Sequence, residues 1–383
     1  MRGNLRQRSR GSWTLTVELP RDASGKRRAL YETFQGNKRQ AQDRLAELIA
    51  STKDGYTVRP EKITVQEALS QWLRDHAPRV RARTMQGYES KLRYRVYPAL
   101  GRLSLRDLQP SHVQALYRDM LAQVSARTVL HVHRILQESL DYAVKLGYIS
   151  RNPCKAVTPP RPDRKEMRAL SPQEVTRVLE AARATPYYAL FHTALYTGLR
   201  RSEFLGLRVH DVDLTLGTIH VAQGLHVLNG GRITYTEPKS AKGKRMVALT
   251  PSSAIVLREH LAGLEANRLA LGIPLEDNGL VFSWADGRPM LPNSVTRAWR
   301  RLVRGLGLTG VRLHDARHTH ASLMLAQNIH PKIVQERLGH STIAVTLDTY
   351  SHVAPGLQAA AALAFDKMLA LDTEPERATE MVG

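Results

Sequence analysis

Between positions 313 and 350 the chain reads LHDARHTHASLMLAQNIHPKIVQERLGHSTIAVTLDTY, and its reactive side chains fall at intervals that could surround one anion. His314 and Arg317 lie three residues apart, His340 follows in a Leu-Gly-His triplet, and Tyr350 stands ten residues beyond it. Residues three apart share a helix face, so a helix over 315–326 lets His314 and Arg317 address one group from its first turn. Ala316, Leu323 and Met324 supply apolar positions for that helix and Asn328 a stop. Unpaired N–H groups and the positive end of the dipole favour an anion such as phosphate there.

A second cluster lies upstream in ALYTGLRRSEFLGL. Gly198 breaks one helix, Arg200 follows in the turn, and Ser202 is expected to cap the next helix, whose Phe204, Leu205 and Leu207 face a core. Together TGLRRSE, HDAR, LGH and the tyrosine ten residues on resemble the tyrosine recombinase (phage integrase) family, over the C-terminal half from Arg200 to Tyr350. The resemblance implies Tyr350 as nucleophile, Arg200 and Arg317 as phosphate clamps, His314 accepting or sharing the phenol proton, and His340 bonding the scissile phosphate. It also implies a general-acid lysine in a β-hairpin. In EPKSAKGKRMVAL, Lys239 fits that role best, with Lys242 and Lys244 close enough to compete. Glu203 resembles the acidic residue that orients the first arginine.

Such a site has three demands. A phenol with a free pKa of about 10 must lose its proton during attack. The phosphoryl oxygens gain charge and need fixed donors, for which a guanidinium fork is suited. The departing 5′ oxygen needs a proton. Exchanging a phosphodiester for a phosphotyrosyl ester conserves bond energy, so no cofactor is expected, neither ATP nor metal. Taken singly, Arg200 reads as a helix-capping or surface arginine, His340 as a loop histidine, Lys239 as solvent-facing and Tyr350 as a packing residue. Their joint occurrence favours the catalytic reading. His314 and His318 also have the H-x3-H spacing of a zinc site, with His320 and His340 as possible further ligands. Against zinc, Asp315 replaces the usual Glu and Arg317 puts a cation on the same face. Other rivals are a type IB topoisomerase and a non-catalytic basic DNA binder.

The rest of the chain must position these groups on a polyanion. Its 56 Lys+Arg against 35 Asp+Glu give a formal charge of +21, which points to nucleic acid before an anionic membrane. The longest apolar run, 359–365, is far shorter than the roughly 20 residues of a membrane span. The basic start lacks the apolar core of a signal peptide, and one cysteine, Cys154, excludes internal disulfides, so a reducing cytoplasm is expected.

The fold class expected is mainly α with small β-sheets (α+β). Residues 1–58 alternate as strands, with Trp13, Leu15, Val17 and Leu19 on one face, a turn at Ser24-Gly25, and a helix burying Ala41, Leu45, Leu48 and Ile49. Arg6, Arg8, Arg10, Lys26, Arg27, Arg28, Lys38 and Arg39 make this segment basic, and the resemblance implies an arm-site DNA-binding domain. A four-helix core-binding domain over 62–150 follows, with capping boxes at Thr64/Glu67 and Ser111/Gln114 and a long helix at 126–146. Its basic set is Arg79, Arg81, Arg83, Lys91, Arg93 and Arg95. Proline-rich 151–168 reads as a linker that buries no face. A mostly helical catalytic domain over 169–371 opens on a Ser171-Pro172-Glu174 box. It contains one small antiparallel sheet, built from 218–221, 233–235 and 246–249, and ends in a helix at 357–371 before a 372–383 tail. The partners the resemblance implies are double-stranded DNA, three further copies in a homotetramer on paired sites, with that last helix as an element exchanged between subunits, and a directionality factor, with no membrane.

Overall fold

A computed structural model of the chain describes residues 3–19, 28–53, 63–163, 168–238, 241–350 and 357–370. The chain divides into two compact units, Met1–Arg164 and Lys165–Gly383.

The first unit opens on an antiparallel sheet of β1 (Gly3–Ser9), β2 (Ser12–Leu19) and β3 (Arg28–Gln35), with β2 central. Period-two alternation places Trp13, Leu15 and Val17 on one face, where α1 (Lys38–Lys53) covers them with Ala41 and Leu48. Strand β1 carries no apolar alternation, because it is an edge whose side chains other than Leu5 are exposed. Arg6, Arg8, Arg10, Lys38 and Arg39 are exposed here. The expected turn at Ser24-Gly25, together with Lys26 and Arg27, lies outside the described residues.

A separate hydrophobic cluster joins α2 (Val65–His76), α3 (Ala82–Lys91), α4 (Tyr97–Leu100), α5 (Pro110–Leu121) and α6 (Ala126–Lys145). Thr64 and Glu67 close their box, Thr64 N donating to Glu67 Oε2 at 2.8 Å and Glu67 N to Thr64 Oγ1 at 3.2 Å. The box expected at Ser111/Gln114 does not form. Pro110 takes the first helical position, so Gln109 becomes the N-cap and its N–H donates to His112 Nδ1 at 3.3 Å. The idea that 151–168 buries nothing also fails at its start. A short 3₁₀ turn, Pro153–Ala156, inserts Pro153 and Cys154 with the following Val157 into the buried set, since three residues suffice for a small apolar plug.

In the second unit α7 (Pro172–Ala182) starts with the Ser171/Glu174 box, then α8 (Tyr188–Thr197) and α9 (Arg201–Leu205) follow. The β-rich stretch forms two small sheets where one was expected. One contains β4 (Val212–Asp213), β5 (Thr218–Val221) and, across the intervening hairpin, β8 (Arg245–Ala248). The other is the pair β6 (Gly224–Val227) and β7 (Ile233–Thr236), turned through Gly230 and Gly231 at positive φ. Strand β6, with Gly224 and His226, lacks the β-branched run that would announce it.

Helices α10 (Pro251–Ala270), α11 (Pro292–Gly305), α12 (Asp315–Ala326), α13 (Pro331–Leu338), α14 (Ile343–Tyr350) and α15 (Leu357–Ala370) complete the unit. Its core centres on Leu190, Phe191, Phe204, Phe282 and Trp299, with Phe191 edge-on to Trp299 at 5.1 Å. Among the described residues no helix is long and apolar enough to cross a membrane.

Candidate active site

Helix α8 ends at Gly198, whose φ of +65° suits glycine and whose position admits nothing larger. A Cβ there would lie 2.7 Å from Leu338 Cδ2 and 2.8 Å from His320 Cδ2. The sharp exit puts Arg200 at the N-cap of α9. Glu203, and not Ser202 as expected, closes the cap: its Oε2 accepts from Arg200 N at 2.9 Å and its Oε1 from Arg200 Nη1 at 2.7 Å. Ser202 lies inside α9, two positions too late to cap it.

The site is assembled on the other end of a helix. The last carbonyls of any α-helix lack intrahelical partners and carry the negative end of its dipole. Helix α13 ends at Gly339, again left-handed at φ +65°. Around that end Arg245 Nε donates to Arg337 O at 2.7 Å, Arg317 Nη2 to Leu338 O at 2.7 Å, and Arg200 Nη2 to Gly339 O at 3.1 Å. Gln335 Nε2 then donates to His340 O at 3.0 Å and Lys242 Nζ to Ser341 O at 2.9 Å. Five consecutive carbonyls each take a side-chain donor, and three of those donors are guanidinium groups from β8, α12 and the α8–α9 turn.

Arg317 is only 3% exposed and also donates from Nη1 to Gly198 O at 2.8 Å. It therefore ties the turn that presents Arg200 to the turn that presents His340. His314 stands at the N-cap position of α12 and meets His318 edge-on at 4.8 Å. Burial pushes the His314 pKa down, and the charge of Arg317 adds to the effect. Burial, with Arg317 and Arg200 nearby, holds His340 at about 4, and His318 is likewise held at about 4 by burial and His314. These imidazoles are neutral at pH 7 and can accept a proton. His340 Nδ1 lies 2.9 Å from the buried Thr346 Oγ1, which fixes the ring against α14.

Tyr350 is the last residue of α14, and its side chain lies outside the described residues, as does Lys239. Of the competing lysines, Lys242 holds Ser341 O and Lys244 pairs with Glu237 at 2.9 Å. His320, weighed as a metal ligand, is a bridge: Nδ1 bonds Leu195 O at 3.0 Å and Nε2 accepts from Arg337 Nε at 2.9 Å. Asp315 is likewise occupied by Arg312 N and Nη2 at 2.7 and 2.9 Å. Among the described residues no group of three or more His, Cys, Asp or Glu is arranged to hold a metal ion.

Arg245, Arg337 and Thr346 were invisible in the sequence. Arg245 follows two lysines and reads as part of a solvated run, yet its side chain is held inside the protein while its neighbour Met246 is 71% exposed. Burial by itself would raise the pKa of Glu203; hydrogen bonds and charge from Arg245, with Arg200 adding, hold it at about 2 instead. A buried carboxylate is thus kept ionised between two arginines, beside two neutral histidines and a third arginine. That set provides fixed positive donors for an anion and proton acceptors within the same pocket of structure.

The Phage integrase family model matches residues 168–356, and the Phage integrase, N-terminal SAM-like domain model matches residues 64–121. The chain is 28% identical over 364 residues to a protein named Tyrosine recombinase XerC-like from Caldanaerobacter subterraneus subsp. tengcongensis, covering 90% of this chain and 93% of that one. Among solved structures it resembles the Tn1549 transposon integrase in complex with a circular intermediate DNA, with a TM-score of 0.67 at 23% identity over 79% of this chain and 98% of that one. It also resembles a lambda integrase tetramer bound to a Holliday junction, with a TM-score of 0.57 at 19% identity, over 88% and 96% of the two chains. The motifs, the two matched domains and these relatives agree: the chain belongs to the phage integrase family of tyrosine recombinases.

Proposed function

We propose that this recombinase, acting in the cytoplasm for a phage or other mobile element, cuts and rejoins DNA at paired sites, with Tyr350 attacking the scissile phosphorus to leave a 3′-phosphotyrosyl ester. Arg200 and Arg317 hold the non-bridging oxygens, His314 takes or shares the phenol proton, and His340 bonds the phosphate. Lys239 protonates the departing 5′ oxygen. The observation that carries this reading is the seating of Arg317 and Arg200 on adjacent carbonyls, Leu338 and Gly339, immediately before His340. Two guanidinium groups fixed before DNA arrives need little reorganisation when charge develops. Lys239 is preferred because the family resemblance places the general-acid lysine just after the second strand of the hairpin, ahead of Lys242 and Lys244.

Four protomers act on two duplexes, and the exposed apolar side chains of α15, Leu363, Phe365, Met368 and Leu369, support an exchanged helix as the joint between them. Residues 1–58 bind arm-type DNA, 62–150 hold the core site by its phosphates through the arginines between Arg79 and Arg95, 151–168 connect, and 169–371 carry the chemistry. A directionality factor biases excision.

On a nicked DNA site, Tyr350→Phe is expected to abolish covalent protein–DNA adducts with DNA affinity nearly unchanged. Adducts from that variant would mean another nucleophile. In the same assay Lys239→Ala slows cleavage far more than Lys242→Ala or Lys244→Ala; the reverse order reassigns the acid.

A further inference from the structure

We propose that Arg245, to which the sequence alone assigns no role, is the positioning residue that keeps the phosphate clamp positively charged. This rests on the reading of Arg200 as a clamp. A carboxylate 2.7 Å from Arg200 Nη1 orients that guanidinium, but alone it would also cancel most of the charge an incoming phosphate should meet. The carboxylate is Glu203, buried with its second partner, Arg245, whose side chain is 7% exposed. Arg245 Nη2 donates to Glu203 Oε2 at 2.9 Å, and its Nη1 lies 3.3 Å from Oε1 and donates to Gly243 O at 3.1 Å. Its Nε is held by Arg337 O at 2.7 Å.

These bonds occupy both faces of the fork inside the protein, so Arg245 does not reach DNA. It shares one negative charge with Arg200, and the trio Arg200, Glu203 and Arg245 keeps a net charge of about +1. Arg245 also rests against the other anchor of Arg200. A Cβ on Gly339, whose carbonyl accepts from Arg200, would lie 3.0 Å from Arg245 Nη1. The residue therefore touches both groups that set the direction of the clamp.

The test is single-turnover cleavage of a nicked DNA site by the full chain, with DNA affinity and thermal melting measured in parallel. Arg245→Met should lower the cleavage rate about 100-fold with affinity changed by less than about 3-fold, because Glu203 then neutralises Arg200. Arg245→Lys keeps the charge and should recover to within about 10-fold of wild type. The pair Glu203→Gln with Arg245→Met should outpace Arg245→Met by about 10-fold, since a neutral amide no longer cancels Arg200.

A purely structural role moves these values differently: the lysine variant does no better than methionine, and the double variant does worse than either single change. Either result overturns the proposal, as does wild-type cleavage by Arg245→Met. Should Arg245→Met fail to fold, the double variant, which leaves no buried charge unpaired, decides. Cleavage within about 10-fold of wild type supports the charge account, and complete loss with DNA binding intact refutes it. Arg200→Ala, run alongside, separates the two readings, since wild-type cleavage by that variant defeats the clamp assignment itself.

Discussion

The helical cluster of 65–157 and the surroundings of α13 are both built from packed helices, yet they bury opposite chemistry. In the first, buried polar side chains are neutral and bond locally: Tyr117 Oη with His133 Nδ1 at 2.9 Å, Ser139 Oγ with Leu136 O at 3.0 Å. Around α13 the buried set includes Glu203, Arg317 and His320, with Arg245 beside them. Burying an ion costs several kcal/mol unless partners compensate. The free carbonyls at the end of α13 are that compensation, and they let a core hold cations ready for a phosphate. A neutral network gives a unique packing; the charged one gives packing and a binding potential together.

The largest effect that would test this contrast is at Arg317. Arg317→Ala strips charged donors from Gly198 O and Leu338 O, so we expect a loss of about 3 kcal/mol in stability and about 1,000-fold in cleavage. Arg200 has a side chain 38% exposed and holds the next carbonyl along, Gly339 O. Arg200→Ala should cost about 100- to 1,000-fold in cleavage with under about 1 kcal/mol in stability. Adduct formation and denaturant midpoints separate the two; equal stability losses would erase the distinction between anchor and clamp.

Acidification comes next. His320, His340 and His318 fall from 6.5 to about 3, 4 and 4 on folding, so the unfolded chain binds protons first. Their contribution is complete above about pH 6.5 and shrinks as pH falls towards 4, with His320 alone losing about 2 kcal/mol by pH 5. Glu203, at about 2 against 4.5, contributes fully above about pH 4.5 and loses its share progressively as pH falls from there to about 2. Amide protection factors in α13, corrected for intrinsic exchange at each pH, should therefore fall between pH 7 and 5; unchanged protection would mean these rings are not buried neutral. The smallest effect belongs to the neutral network: Tyr117→Phe should cost about 1 kcal/mol and leave cleavage within about 2-fold.

The sequence showed the ingredients of the site better than its construction. Gly198, Arg200, Arg317 and His340 stood out by type and spacing, and the limits of α12 followed from Asp315 and Asn328, the latter at φ +58°. Capping chemistry was legible where a hydroxyl and a carboxylate sat three apart, at Thr64 and Ser171, and misread by two positions where Gln109 and Arg200 took the caps expected at Ser111 and Ser202. What stayed hidden was non-local. Arg245 finds its carbonyl acceptor at Arg337 and Arg317 finds one at Gly198, and no periodicity encodes a bond across such separations. Arg200 does what its helix-capping reading suggested, since its acceptor, Gly339 O, is the cap of α13, one residue before His340.

A crystal structure of the chain on a DNA site with vanadate in place of the scissile phosphorus tests the central claim most directly. The account predicts Tyr350 bonded to vanadium, with Arg200 and Arg317 donating to its equatorial oxygens while still holding Gly339 O and Leu338 O. Vanadate seated away from these arginines, or arginines that must abandon the end of α13 to reach it, would contradict a clamp assembled before DNA binds.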